Sequence, residues 1–95
     1  MDIELLHIKC KESTRKAFNE YKRQVDVRLF PFDKGLHENL KAQMFQDIGM
    51  SVTKYFVNNY SLSLEQLKYL DNTLNEYKML AGKTADNYSK RHFNI

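Results

Sequence analysis

The stretch Gln24-Val25-Asp26-Val27-Arg28-Leu29-Phe30-Pro31 decides how the rest of the chain is read. Its members at 25, 27 and 29 are apolar and mostly β-branched, those at 26 and 28 are charged, and Pro31 follows. Alternation with a period of two marks a half-buried strand, and proline ends one because it cannot donate to a ladder. A single five-residue strand has no stability alone, and even an isolated two-stranded ribbon is marginal. Two copies pairing antiparallel across a two-fold axis would give each strand a partner, with Val25, Val27 and Leu29 facing the helices.

Outward from this stretch the pattern is helical. Ser13 or Thr14 can cap a helix over about 14–24, with Phe18, Tyr21 and Val25 on one face. Residues 3–10 fit a short strand or a helical turn equally. Downstream, Asp33 can cap a helix whose stripe is Leu36, Leu40, Met44 and Ile48, and Gly49 can close it in the left-handed conformation. Ser51 is placed to cap a further short helix with Val52, Tyr55 and Phe56 inward. Ser63 and Gln66 have capping-box spacing for a last helix, lined by Leu64, Leu67, Leu70, Leu74, Tyr77 and Ala81 and stopped at Gly82. A short final turn capped by Thr84 fits the remainder. The expected fold is mainly α with one short β-strand.

The 95 residues suit one small domain, or a small domain plus an extra helix, and a chain this short gains from dimerisation. An apolar share of 42% with 28% charged residues describes a folded chain, and one proline with three glycines favours long regular elements. The formal charge of +3 is uneven. Lys9 to Arg28 holds seven Lys or Arg and three acids, seven minus three giving +4, so the other residues sum to −1. A local basic excess is the electrostatic footprint of phosphate binding, although most charge runs are solvated faces. Cys10 is the only cysteine, which rules out an internal disulfide and a thiolate cluster. Without an apolar run of spanning length or a signal-like N-terminus, the expected location is the cytoplasm, with no membrane partner.

Strand, helix, Gly-x-Ser turn and second helix, in that order, resemble the ribbon-helix-helix family of the Arc and MetJ type. The resemblance rests on Val25–Leu29, Leu36-His37-Glu38-Asn39-Leu40 and Gly49-Met50-Ser51-Val52-Thr53-Lys54-Tyr55-Phe56-Val57. It implies a dimer whose paired ribbon enters the major groove of duplex DNA. By position it makes Gln24, Asp26 and Arg28 the base-reading residues: Arg28 to guanine, Gln24 to adenine, Asp26 to the cytosine amino group. It also makes Ser51, Val52, Thr53 and Lys54 a phosphate clamp at a helix N-terminus. Lys22 and Arg23 would offset Asp26 and hold phosphate.

On this reading residues 1–23 are a basic, partly helical N-terminal extension, 24–60 the ribbon-helix-helix core, and 61–95 a C-terminal helical extension. The leucine stripe (Leu64, Leu67, Leu70, Leu74, Tyr77) packs on its own domain or serves as a second surface, joining dimers into tetramers or docking a partner protein. The expected function is sequence-specific DNA binding by a homodimer, as a transcriptional regulator or a plasmid or mobile-element accessory factor in the relaxosome or in partition. The alternative is a small helical interaction protein, such as a phage-type inhibitor, that binds protein and not DNA.

No catalytic set, metal site or cofactor is expected. Gly82-Lys83-Thr84 echoes a phosphate loop, but Tyr77 stands where the first glycine belongs. His7, His37 and His92 show no ligand spacing. The tyrosines and phenylalanines sit mostly at core spacing, so base stacking is the lesser reading.

Overall fold

The structure is a computed structural model that describes residues 1–27 and 32–94. It holds three helices: α1 (Ile3–Asp26), α2 (Lys34–Asn59) and α3 (Leu64–Phe93). Each begins at a side-chain cap. Asp2 accepts from Leu5 N–H and Asp33 from Leu36 N–H, both at 3.1 Å. Ser63 and Gln66 close a full capping box, at 3.0 and 3.1 Å. The end of α3 is shaped by Asn94, which takes the left-handed conformation (φ 55°) and so turns the chain out of the helix.

The helices run up, down and up. Along α1 and α2, Ser13 meets Ser51 while Tyr21 meets His37, so the pair is antiparallel. Along α1 and α3, His7 meets Tyr77 while Tyr21 meets Ser89, so that pair is parallel. One core draws on all three. Leu6, Cys10, Ala17, Tyr21 and Val25 come from α1, Met44, Ile48, Val52 and Phe56 from α2, and Leu70, Leu74, Ala81 and Ala85 from α3. The molecule is a rod of 47 × 20 × 18 Å, and its radius of gyration of 14.9 Å exceeds the roughly 12 Å of a compact chain this long.

The ribbon is corrected by this fold. Among the described residues there is no strand. Val25 and Asp26 form the last turn of α1, and Val27 is its C-cap, donating its N–H to Arg23. Arg28 and Leu29 lie outside the described residues. The physical reason is the competing period. Tyr21 and Val25 extend a four-residue spacing that runs through α1, and burying them outweighs the β preference of two valines. The fold is therefore a helical bundle, and not a ribbon-helix-helix dimer with added terminal helices.

The glycine breaks are corrected too. α2 passes through Gly49 and Ser51 without interruption, and no glycine has a positive φ. Glycine inside a helix costs about 0.5–1 kcal/mol. Continuing the stripe from Ile48 to Val52 and Phe56 buries two large side chains worth roughly 1.5–3 kcal/mol each, so the helix goes on. α3 likewise runs through Gly82 to bury Ala85 and Ser89. There a side chain would be crowded, since a Cβ on Gly82 would lie 3.0 Å from the Phe45 ring. The starting turn assigned to Thr84 is absent: its hydroxyl donates back to the Leu80 carbonyl within α3.

Candidate interaction surface

The expected base-reading and phosphate residues fall on two helices that do not bring them together. Lys22, Arg23, Gln24 and Asp26 occupy the last two turns of α1. Arg23 forms a forked pair with Glu20 at 2.7 and 3.0 Å, and Gln24 donates to the same carboxylate at 3.0 Å. These bonds hold Glu20 well below the usual carboxylate range, to about 2, with the Arg23 bond the largest cause. Asp26 accepts from the Tyr88 hydroxyl and lies 3.6 Å from His92. Lys22 sits over the Tyr88 ring, 5.4 Å from its centroid. Arg28 is outside the described residues.

Ser51, Val52, Thr53 and Lys54 lie in mid-α2, level with Ser13, so they are nine residues of helix from Lys22, or about 14 Å. There are no free N–H groups at Ser51, because the helix continues on both sides, and Val52 is buried in the core. The clamp geometry is absent at this position. The leucine stripe of α3 is divided: Leu70 and Leu74 are buried, Tyr77 is half-buried, and Leu64 and Leu67 are exposed.

A constellation that sequence reading missed lies where the three helices meet. The Tyr21 hydroxyl is 2.7 Å from His37 Nδ1, contacts the Ser89 hydroxyl and donates to the Ala85 carbonyl at 3.2 Å. On the other side of the imidazole, His37 Nε2 is 2.9 Å from Asp86 Oδ1, which also takes Lys41 Nζ at 2.9 Å. Burial raises Tyr21 above its ordinary value in spite of the Ser89 bond. Burial pushes Asp86 upward as well, but the bonds and charges of Lys41 and His37 outweigh it and hold the carboxyl below its ordinary value.

Serine, histidine and aspartate thus come together, but as a tie between helices. Ser89 is 2% exposed and its hydroxyl is engaged by Tyr21, leaving it 3.3 Å from His37 Nδ1. A cavity of about 270 Å³ is lined by His37, Asp86 and Ser89 with Phe32 and Lys34, but the Ser89 hydroxyl is bonded to Tyr21 and stands farther from the imidazole base that a nucleophile requires. The signal was present in the pattern. His37 falls on the stripe shared by Lys41, Met44 and Ile48, and Ser89 on that of Ala81 and Ala85. Polar residues on a core stripe announce a buried hydrogen bond.

Two surface features remain. The first is the face made by α2 and α3. An open groove of about 600 Å³ runs between them, with Gly49 and Leu74 in it, Met50, Thr53, Lys54 and Val57 along one wall, and Asp71 and Lys78 on the other. Met50 and Val57 are 61% and 52% exposed. Gly49 matters here: a Cβ would meet Lys78 Nζ at 2.9 Å, so the missing side chain is what lets Lys78 lie against α2. The second feature is the α1 edge. Lys11, Arg15 and Lys22, at i, i+4 and i+11, share one stripe, and among the described residues no acid pairs with them.

Comparison with protein-family models, with curated proteins and with solved structures finds no match for this chain, so no ribbon-helix-helix relative is identified. No described helix is long and apolar enough to cross a membrane. Among the described residues no group of His, Cys, Asp and Glu is arranged to hold a metal ion.

Proposed function

We propose that this protein is a small helical interaction protein whose α2–α3 face is a protein-docking surface. The observation that carries the reading is the outward side of α2. The row Ala42, Gln46, Met50, Thr53 and Val57 is uncharged and carries two large exposed apolar side chains, beside an open groove that Lys54, Asp71 and Lys78 rim with charge. A helix whose free side faces only water is normally polar there, and exposed apolar side chains rimmed by polar residues mark partner sites. The proposal places the protein in the cytoplasm, with Cys10 as a buried, reduced thiol.

A photo-reactive residue at position 50 of the full chain, introduced in the native cell, tests it. Protein adducts that disappear with Val57→Glu are expected. Adducts equal to those from a probe at Arg15, or none at all, would overturn the reading.

A second reading is favoured by the α1 edge. Lys11, Arg15 and Lys22 span eleven residues, about 16 Å of helix, and form a line of cations without an acid partner among the described residues, suited to a phosphate backbone. Duplex DNA binding on this reading uses a helix edge and no ribbon. Retention on heparin or random duplex DNA should fall steeply with salt, and replacing all three by Ala should flatten that dependence. Retention indifferent to salt would remove this reading.

A further inference from the structure

We infer that the occupant of the α2–α3 face is a second copy of this chain, with the two α2 helices antiparallel about a two-fold axis between Met50 and Thr53. The inference rests on the α2–α3 face being an interaction surface, and it names the partner.

The spacing of the outward residues comes first. Gln46, Met50, Thr53 and Val57 follow one another by four, three and four, which is the seam spacing of two packed helices. Turned antiparallel about a centre between Met50 and Thr53, the seam matches itself: Met50 falls opposite the partner's Thr53, and Gln46 opposite the partner's Val57. Each large side chain faces a smaller or flexible one. Beside the seam, the open groove lined by Leu74 and Lys78 receives the partner's Met50 once the Lys78 side chain, which lies over Gly49, swings aside.

Charge points the same way. Asp47 and Lys54 each follow a seam residue by one position and lie seven apart, on one edge of α2. Antiparallel pairing sets Lys54 of one copy against Asp47 of the other, twice by symmetry, whereas in a parallel pair the two copies carry this edge on opposite sides of the interface, where the two residues do not meet. The cationic line of Lys11, Arg15 and Lys22 belongs to α1, whose core-facing residues pack against α2 and α3, so dimerisation does not bring those cations together.

α2 has 26 residues, about 39 Å at about 1.5 Å per residue, on a molecule 18–20 Å wide. Pairing along its whole length, beyond the seam from Gln46 to Val57, is what approaches the roughly 800 Å² per partner of a standard interface. The accessible surface of 6485 Å² also exceeds the roughly 5,700 Å² of a globular monomer of this mass, so the rod has surface to spare.

Sedimentation equilibrium of the full chain, from micromolar to a few hundred micromolar, tests the inference. The expected mass is twice the 11.3 kDa of the chain. Met50→Glu and Val57→Glu change exposed positions, so helicity by circular dichroism should be kept while the dimer weakens at least tenfold. Lys54→Asp should weaken it as well, and adding Asp47→Lys in the same chain should restore it. A monomeric wild type throughout the range overturns the inference, as does a dimer indifferent to Met50→Glu. The photo-adducts at position 50 separate the two failures: adducts of self only support both statements. Adducts with a different protein keep the interaction reading and sink self-pairing, and no adduct sinks both.

Discussion

Gly49 shows how one residue supports opposite expectations in a turn and in a helix. In a left-handed turn, an added side chain strains the backbone and destabilises. Within α2 its φ is negative, and the nearest obstacle to a Cβ is the far end of the Lys78 side chain, which can swing away. Gly49→Ala should therefore stabilise the fold by about 0.5–1 kcal/mol, a rise of several degrees in Tm read by thermal melting at micromolar concentration. A loss of that size would restore the turn. Gly82→Ala should not show the gain, because the obstacle is the Phe45 ring within the packed α2–α3 contact. Cys10 supplies a second test at this scale. Burial pushes its thiol up to about 11, and the thiolate is the reacting form. In the native state it should resist a disulfide reagent at pH 8, reacting only as fast as the chain opens. Rapid labelling of the folded protein would place Cys10 outside the core.

At the scale of the element, Val27 tests the former strand. A valine in a paired ribbon would be intolerant of charge. As the 60% exposed C-cap of α1, it should accept Val27→Asp with a loss of no more than about 1 kcal/mol, the acid being mildly unfavourable at a helix C-terminus. Unfolding of this variant in chemical denaturation would contradict the end of α1. The starts of α2 and α3 were legible in the chain because Asp33 and the Ser63–Gln66 pair act through bonds to N–H groups within three residues. Helix ends at Gly49 and Gly82 were misjudged because glycine only permits a break. Whether the break occurs depends on Phe45, Val52 and Ala85, which are brought together by tertiary packing. The strand at 25–29 failed for the same reason: its alternation covers three apolar residues, whereas the spacing of four that ends at Tyr21 and Val25 begins far upstream. The Tyr21–His37–Asp86 tie joins residues up to 68 apart through Ser89, a pairing local pattern cannot supply, although His37 and Ser89 on apolar stripes hinted at it.

Across the whole molecule, the tie sits at one end of the rod and joins all three helices there, so its ionisation bears on the stability of the bundle. Asp86 is the acid in it, facing Lys41 and His37 of α2. Its folded pKa lies below its ordinary value because those partners outweigh burial. The unfolded chain binds the proton first as pH falls, near pH 3.9. The stabilisation is therefore fully present above that pH and is lost as pH drops through the lower folded value. The carboxylate is 43% exposed, so solvent screening limits the contribution to about 0.5–1 kcal/mol. Asp86→Asn should lower stability by that amount at pH 7 and have little effect at pH 2, as measured by urea denaturation at both. An equal loss at both pH values would show that Asp86 acts through packing and hydrogen-bond shape, with no part for its charge. Tyr21→Phe provides the neutral counterpart. It removes the hydroxyl shared by His37, Ser89 and Ala85, leaves buried groups short of a partner, and should cost about 1–3 kcal/mol through the same junction of α1, α2 and α3.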